Sequence, residues 1–311
     1  MAINRVAIIG ANGNLGTELF RSLASAGHFA LSVVKRTSSK SATYSNDNVT
    51  TVTVDDDLSL ESLKKALQGQ DAVVVSIPVK DIAQHIRIAD AAAAVGVKRL
   101  IPADYGSYDS ASLRAQQLVP LFKGKTDIRE HLQTLSASHP SFSWTSLVGG
   151  HFFDWGLKHN FLHFDLKNKT ADILDGGCDR SSTSTLSRLG EAVVAVLLQA
   201  DSSGKGEDRT KNRVLFMQSF CVSQLEILAA LEKATPGSKW KANHVDSEMF
   251  IKEHKIKADA GDKEAVEDLV FALGAIDGNW TTRDGFAMDL LGLEDEDLDE
   301  VVKRVVNEAG A

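Results

Sequence analysis

The stretch Arg5-Val-Ala-Ile-Ile-Gly10-Ala-Asn-Gly13-Asn-Leu-Gly16-Thr-Glu-Leu19-Phe-Arg-Ser-Leu23 decides how this chain is read. It begins with a short apolar, partly β-branched run, the mark of a strand buried on both faces. It then passes into a pattern in which Leu15, Leu19 and Leu23 recur every four residues and form one inward stripe of a helix. Three glycines lie in and around the turn between strand and helix. Gly10 permits a tight exit from the strand, Gly13 lets a pyrophosphate approach the backbone, and Gly16 lets the helix lie close on the sheet. Phosphates held by the Asn12 to Gly16 segment, including Asn14 and Leu15, would meet free N–H groups at a helix N-terminus. The spacing is Gly-x-x-Gly-x-x-Gly rather than the common Gly-x-Gly-x-x-Gly, so placement between strand and helix makes it a dinucleotide expectation.

The next strand end chooses the dinucleotide. A site for the unphosphorylated cofactor expects an acid about 20 positions past the motif, and a site for the 2′-phosphorylated one replaces it with a cation. Here the strand ends Val33-Val34-Lys35-Arg36-Thr37-Ser38, and the next acid is Asp47. The guanidinium fork of Arg36, helped by Lys35 and the Thr37 or Ser38 hydroxyl, suits a 2′-phosphate, so NADPH is the expected cofactor. Ile77 and Pro78, ending a later strand, are expected to pack on the nicotinamide or its ribose.

Working outward, residues 1–150 alternate short apolar strands with helices. Strands are expected at Arg5–Ile9, Ala30–Val34, Val49–Val54, Ala72–Ser76, Arg99–Ile101 and Ser143–Leu147, with helices at Leu15–Ala26, Ser59–Gln68, Ile82–Ala94 and Thr126–Ser138. This is the rhythm of an α/β, Rossmann-type doubly wound parallel sheet. Residues 151–311 change character: an aromatic-rich segment, a polar glycine-rich one, then a clean helix at Leu186–Gln199 expected to pack back on the sheet. An exposed loop is expected at Ala200–Asn212. Beyond it strands at Arg213–Met217 and Trp240–His244 alternate with helices at Ser223–Ala234, Asp246–His254, Lys263–Leu273 and Asp297–Glu308. The expectation is an NADP-binding domain over 1–150 and a smaller C-terminal α/β substrate-binding domain over 151–311.

Composition narrows the function. With 34 Lys plus Arg against 42 Asp plus Glu the net charge is −8, and the longest basic runs are pairs, which argues against a nucleic-acid surface. No apolar run approaches the roughly 20 residues a membrane span needs. Cys178 and Cys221 are too few for a disulfide framework or thiolate metal site. The chain reads as cytoplasmic, metal-free, and either a monomer or a homodimer.

The chemistry needs a proton-handling group beside a hydride donor. Tyr44, Tyr105 and Tyr108 are followed four residues later by Asn48, Asp109 and Ser112, so the Tyr-x-x-x-Lys pair of short-chain dehydrogenases is absent. Lys125 is the best substitute. It opens the segment Lys125-Thr-Asp-Ile128-Arg-Glu-His-Leu132-Gln-Thr-Leu135, one turn before an inward stripe, where partial burial and a nearby helix start would lower its pKa. Tyr105 is a second phenolic candidate. His159 and His163, four apart, lack a third metal ligand. Cys178 has only Arg180 as an activating neighbour and reads as a plain loop thiol.

The glycine turn, Lys35-Arg36, Ile101-Pro-Ala-Asp-Tyr105-Gly106, Lys125-Thr-Asp-Ile-Arg129 and Gly149-Gly150-His-Phe-Phe together resemble the NmrA-like and isoflavone reductase-like group of atypical short-chain dehydrogenases, in its fungal branch. The likeness spans about the first 155 residues. It implies a Rossmann domain with a smaller substrate domain, NADPH, small aromatic substrates, and the lysine of Lys-x-x-Ile-Arg, here Lys125, as catalytic acid or base. The turn that usually reads Pro-Ser-Glu-Phe-Gly there reads Pro102-Ala-Asp-Tyr105-Gly106 here. The expected function is an NADPH-dependent reductase of a small aromatic or conjugated carbonyl metabolite. Tyr105, Gly150, Phe152 and Phe153 are the expected substrate contacts, within an aromatic wall that adds Trp155, Phe161 and Phe164. The competing expectation is a non-catalytic NADP(H)-binding redox sensor acting on a regulatory partner, which the NmrA-like branch also contains.

Overall fold

A computed structural model describes residues 3–44, 48–201 and 207–310. Met1, Ala2, Asp47 and residues 202–206 of the expected loop therefore lie outside the described residues. The first half runs β1 (Arg5–Ile9), α1 (Asn14–Ser25), β2 (Ala30–Arg36), β3 (Val49–Val54), α2 (Leu60–Leu67), β4 (Ala72–Val75), α3 (Ile82–Ala94), β5 (Arg99–Ile101), α4 (Leu113–Leu118), α5 (Pro120–Ser138) and β6 (Ser143–Val148). Strands β1, β4 and β6 are buried along their whole length apart from Arg5, as strands in a sheet covered on both faces should be.

The second half runs β7 (His151–Phe152), α6 (Phe153–Lys158), β8 (Phe164–Asp165), β9 (Thr170–Leu174), β10 (Arg180–Ser184), α7 (Leu186–Asp201), β11 (Arg213–Phe216), β12 (Phe220–Ser223), α8 (Gln224–Ala234), β13 (Lys241–Val245), α9 (Ser247–Asp259), α10 (Lys263–Asp277), α11 (Met288–Leu291) and α12 (Leu298–Ala309). The central sheet has seven strands in the order β11-β6-β5-β4-β1-β2-β3, each pair parallel. The chain winds outward from β1 to β3, then returns to β4 on the other side of β1. That reversal opens a crevice beyond the carboxyl ends of β1 and β4. The seventh strand, β11, comes from the second half and pairs with β6 through Arg213–Thr145 and its successors. Helix α7 packs into the same core as α1 through Leu189, Val193 and Val196 beside Leu19 and Leu23. Arg99 binds this edge together: Nε donates to Ser143 Oγ at 2.9 Å, Nη1 to Thr145 and Thr210 hydroxyls at 2.9 Å, and Nη2 pairs with Asp208.

Two small three-stranded sheets, β12-β10-β7 and β13-β9-β8, build the remainder around Phe153, Phe164, Ile173, Phe220 and the buried face of α12. His163 ties β9 to α10, its two ring nitrogens donating to Asp172 at 3.0 Å and Asp268 at 3.1 Å while its ring stacks on Phe271 at 4.3 Å. Burial disfavours the charged imidazole, yet the hydrogen bonds and charges of the two carboxylates outweigh burial and push its pKa up to about 9. Because the folded value is raised, the stabilisation is complete below the unfolded value of about 6.5 and is lost as pH rises through the folded one. Between pH 6.5 and 9.5 the wild type should lose about 2 kcal/mol that a His163→Gln variant does not lose, read from parallel urea unfolding curves.

Two local expectations need correction. Lys125 does not open its helix. Pro120, whose missing N–H suits the first helical position, starts α5 five residues earlier, so Lys125 sits in the second turn, away from the free N–H groups. The polar segment 171–185 contains two strands, because the Ser181–Ser184 run is buried with Ser182 and Ser184 hydroxyls bonded to Gln218 Oε1 at 2.7 Å and to the Gly149 carbonyl at 2.6 Å.

Candidate functional site

At the end of β1 the backbone of Gly10 takes a φ of +97°, a conformation that L side chains rarely adopt. Ser76, just after β4, braces this turn by donating its hydroxyl to the Gly10 carbonyl at 3.1 Å. A Cβ on Gly16 would lie 1.9 Å from that same carbonyl oxygen, so only glycine lets α1 come this close. Gly13 differs: a Cβ there would meet nothing nearer than the Gly10 oxygen at 3.7 Å, so no protein neighbour requires glycine. Gly13 faces the crevice instead. Helix α1 has no side-chain cap and no acid in its first turn, which leaves its N-terminal N–H groups to an anion.

A cavity of about 540 Å³ runs from this turn across the strand ends, lined by Gly10, Ala11, Asn12, Gly13, Lys35, Arg36, Ser39, Ser41, Ile77, Pro78 and Lys80. Arg36 is exposed there, and its guanidinium forms no hydrogen bond or ion pair among the described residues. Lys35 is partly committed, donating to the Ser41 carbonyl at 2.6 Å and reaching Thr43 Oγ1 at 3.4 Å. Thr37 and Ser38 do not line the cavity. The Thr37 hydroxyl donates to the Val54 carbonyl at 2.9 Å and the Ser38 N–H to Asp56 at 3.0 Å, while the cavity beside Arg36 is lined by Ser39 and Ser41, whose hydroxyls bond each other at 2.7 Å. Asp56, which β2–β3 pairing brings alongside, is held below the usual carboxylate range by Ser38, with the Arg36 charge adding to it.

A second cavity, of about 670 Å³, continues from Gly13, Asn14 and Leu15 past Ile77, Pro78 and Lys80. Its walls are largely apolar: Leu15, Leu121, Phe152, Trp155, Phe161 and Val266, with Tyr105, Gly106 and Lys125 on one side and Lys263 and Glu267 of α10 on another. These residues come from both halves of the chain. Gly150, Phe153 and Phe164, read from sequence as substrate contacts or wall, do not line it. Gly150 has a φ of +71° and is pressed against β10, where a Cβ would lie 1.9 Å from the Ser182 oxygen. Phe153 is fully buried edge-on to Phe220 at 4.7 Å, and Phe164 belongs to the same core.

Lys125 is buried, with a side chain only 8% exposed, and its Nζ donates to the Gly106 carbonyl and lies 3.7 Å from Asp104 Oδ1. Burial pushes its pKa below the ordinary lysine range; Asp104 opposes that shift and Arg129 reinforces it. Arg129, missed as a site residue although it stands inside the quoted Lys-x-x-Ile-Arg stretch, pairs with Asp104 and reaches Asp109 at 2.9 Å. Tyr105 is buried, its hydroxyl has no partner among the described residues, and burial raises its pKa further above that of a free phenol. His159 stacks on Trp155 at 4.8 Å, and His163 is held by its two carboxylates, so neither ring joins the cavity. Cys178 is an exposed loop thiol. Among the described residues no group of three His, Cys, Asp or Glu is arranged to hold a metal, and no helix is long and apolar enough to cross a membrane.

The donor set fits a phosphorylated dinucleotide: an uncapped helix start, a glycine cradle, a free guanidinium at the far end, and an apolar chamber with a buried amine at the near end. Known proteins are similar to this chain in sequence and fold. The chain is 29% identical over 306 residues to oxidoreductase aprR of Aspergillus flavus, covering 97% of this chain and 98% of that one. It is 23% identical over 259 residues to isoflavone reductase homolog P3 of Arabidopsis thaliana, with 80% of each chain covered. The fold matches the leucoanthocyanidin reductase–NADPH complex from Vitis vinifera with a TM-score of 0.76 at 14% identity, over 98% of this chain and 100% of that one. The profile of the NmrA-like family matches residues 3–256, and with so much of its length accounted for, the chain belongs to that family.

Proposed function

We propose that this protein is an NADPH-dependent oxidoreductase that reduces a small, flat aromatic or conjugated carbonyl compound, with Lys125 as proton donor or acceptor. The supporting observation is the buried Lys125 amine on the wall of an apolar cavity that runs on from the glycine turn. Residues 1–150 would carry the cofactor, and the remaining chain mainly the substrate. The curated relative named an oxidoreductase, and the structural neighbour bound to NADPH, agree with this reading.

The start of α1 would hold the pyrophosphate, with Gly13 giving it access, and Arg36 with Ser39 and Ser41 would hold the 2′-phosphate. When bound, the reduced nicotinamide supplies a hydride. Ile77 and Pro78 would bound its ring. Phe152, Trp155 and Phe161 would keep a flat substrate in register and exclude water, which strengthens every polar interaction inside. Lys125 Nζ, held by the Gly106 carbonyl, would give or take the proton that the hydride leaves unbalanced.

The deciding experiment follows NADPH oxidation against a panel of aromatic enones, ketones and quinones. Turnover of some of them is expected. If NADPH binds tightly and every compound on a broad panel is left untouched, the redox-sensor reading replaces this one. Cofactor choice has its own check: Arg36→Ala should weaken NADPH binding by about 10- to 100-fold, the worth of one charge-assisted bidentate contact, and NADH binding by less than about threefold. Equal losses for the two nucleotides in calorimetric titrations would remove Arg36 from the 2′-phosphate site.

A further inference from the structure

The two cavities meet beside the start of α1. One extends toward Arg36 and the other toward Lys125, and the residues that line both are Gly13, Ile77, Pro78 and Lys80. A pyrophosphate joins the two nucleosides of a dinucleotide, so a cofactor with its 2′-phosphate at Arg36 and its nicotinamide toward Lys125 would cross this junction with its phosphates. Gly13 and the uncapped start of α1 meet them there from the β1–α1 turn. The other three residues belong to the loop after β4, and of these only Lys80 carries a charge. A helix start supplies the equivalent of about half a positive charge against the two negative charges of a pyrophosphate diester, so about one and a half remain to be balanced.

The remaining cations of the two cavities are placed elsewhere. Lys35 donates to the Ser41 carbonyl, Arg36 ends β2, Lys125 donates to the Gly106 carbonyl, and Lys263 lines the second cavity alone. Lys80 is exposed, and its ammonium forms no hydrogen bond or ion pair among the described residues. Its backbone is nevertheless pinned: the Lys80 N–H donates to the Pro78 carbonyl at 2.9 Å, and the next residue, Asp81, caps α3 by accepting from the Ala83 N–H at 3.0 Å. We infer that Lys80 is a cofactor-binding residue whose ammonium contacts the pyrophosphate, complementing the N–H groups of α1. Arg36 then decides which dinucleotide is taken, and Lys80 adds affinity for a group that both dinucleotides carry. This inference rests on the reading that lays the nucleotide along this crevice, with its nicotinamide toward Lys125.

The test is calorimetric titration of the full chain as wild type, Lys80→Met and Lys80→Arg. The probes are NADPH, ADP-ribose 2′-phosphate, which keeps the pyrophosphate but lacks the nicotinamide, and 2′-AMP, which lacks the pyrophosphate. Lys80→Met should weaken the first two alike, by about tenfold, the worth of one charge-assisted contact, and 2′-AMP by less than about twofold. Lys80→Arg, which keeps the charge, should bind the first two within about threefold of wild type. Undiminished NADPH binding in Lys80→Met overturns the inference. An equal loss for 2′-AMP also overturns it, because that marks a diffuse field and not a contact, and so does a loss confined to NADPH, which sets the amine against the nicotinamide half. The side chain is exposed, so folding is not at risk. No arm measures turnover, which keeps two failures apart: a wild type that reduces compounds on the panel beside a Lys80→Met that binds NADPH normally sinks this inference alone, whereas the expected binding pattern in a protein that reduces nothing sinks the reductase reading alone.

Discussion

Replacing Lys125 with methionine is expected to lower turnover by about 10²- to 10⁴-fold, the usual contribution of a positioned acid or base, while NADPH affinity stays within about threefold. Methionine is the informative substitute because it keeps most of the unbranched stem and fills the same buried space, while removing the nitrogen that lies 5.9 Å from the Phe122 ring centre. The Gly106 carbonyl loses a donor and Asp104 loses a distant cation, but Asp104 keeps its bond to Arg129, so no carboxylate is left without a partner. Folding stability should therefore change by no more than about 1 kcal/mol, and the loss should fall on kcat. Steady-state kinetics with a substrate from the panel, beside thermal unfolding, gives both numbers. A variant that turns over within threefold of wild type would mean that the proton is handled elsewhere, with Tyr105 next in line.

Gly16→Ala should be among the most damaging single methyl groups in the molecule. Its Cβ would lie 1.9 Å from the Gly10 oxygen, and that oxygen cannot retreat freely, since it accepts from the Gly13 N–H at 3.2 Å and the Ser76 hydroxyl at 3.1 Å. Helix and strand must separate, with an expected cost of about 3 kcal/mol and loss of measurable NADPH binding. Gly13→Ala makes the contrast. Its Cβ meets only one atom, at 3.7 Å, and its backbone is extended, so stability should stay within about 0.5 kcal/mol. NADPH binding should nevertheless fall at least about tenfold, because the methyl group stands where the pyrophosphate would approach. Comparable unfolding midpoints for the two variants would show that the turn is not as tightly packed as described.

The doubly wound sheet was readable because β1 and β4 are short unbroken apolar runs, and β2, β5 and β6, although they carry Ser32, Arg99, Ser143, Thr145 and Ser146, are short, largely apolar or β-branched stretches set between helical patterns. The glycine turn and Arg36 were readable because their positions follow from the strand they end. Strand β10, Arg-Ser-Ser-Thr-Ser, was not, since its burial depends on hydroxyl partners at Gln218 and Gly149 that are remote in sequence. Lys263 and Glu267 escaped notice for a similar reason: a solvated pair on an amphipathic helix looks the same whether or not a cavity opens beside it. Ser39 and Ser41, not Thr37 and Ser38, line the cavity beside Arg36, a placement that the sequence at the strand end does not reveal. Phe153 and Phe164 show the limit of aromatic composition, which marks a core as readily as a binding wall.

The strand that completes the large sheet has a consequence for anyone wishing to re-engineer this protein. Because β11 and α7 are threaded back through the first half after the chain has already begun the second, the two halves are interlaced, not strung end to end. Cutting after β6 would expose a bare sheet edge and strip α1 of the helix it packs against. A new specificity could not be grafted as one C-terminal cassette; it would have to be transplanted as separate inserts, with the intervening stretch left in its native place.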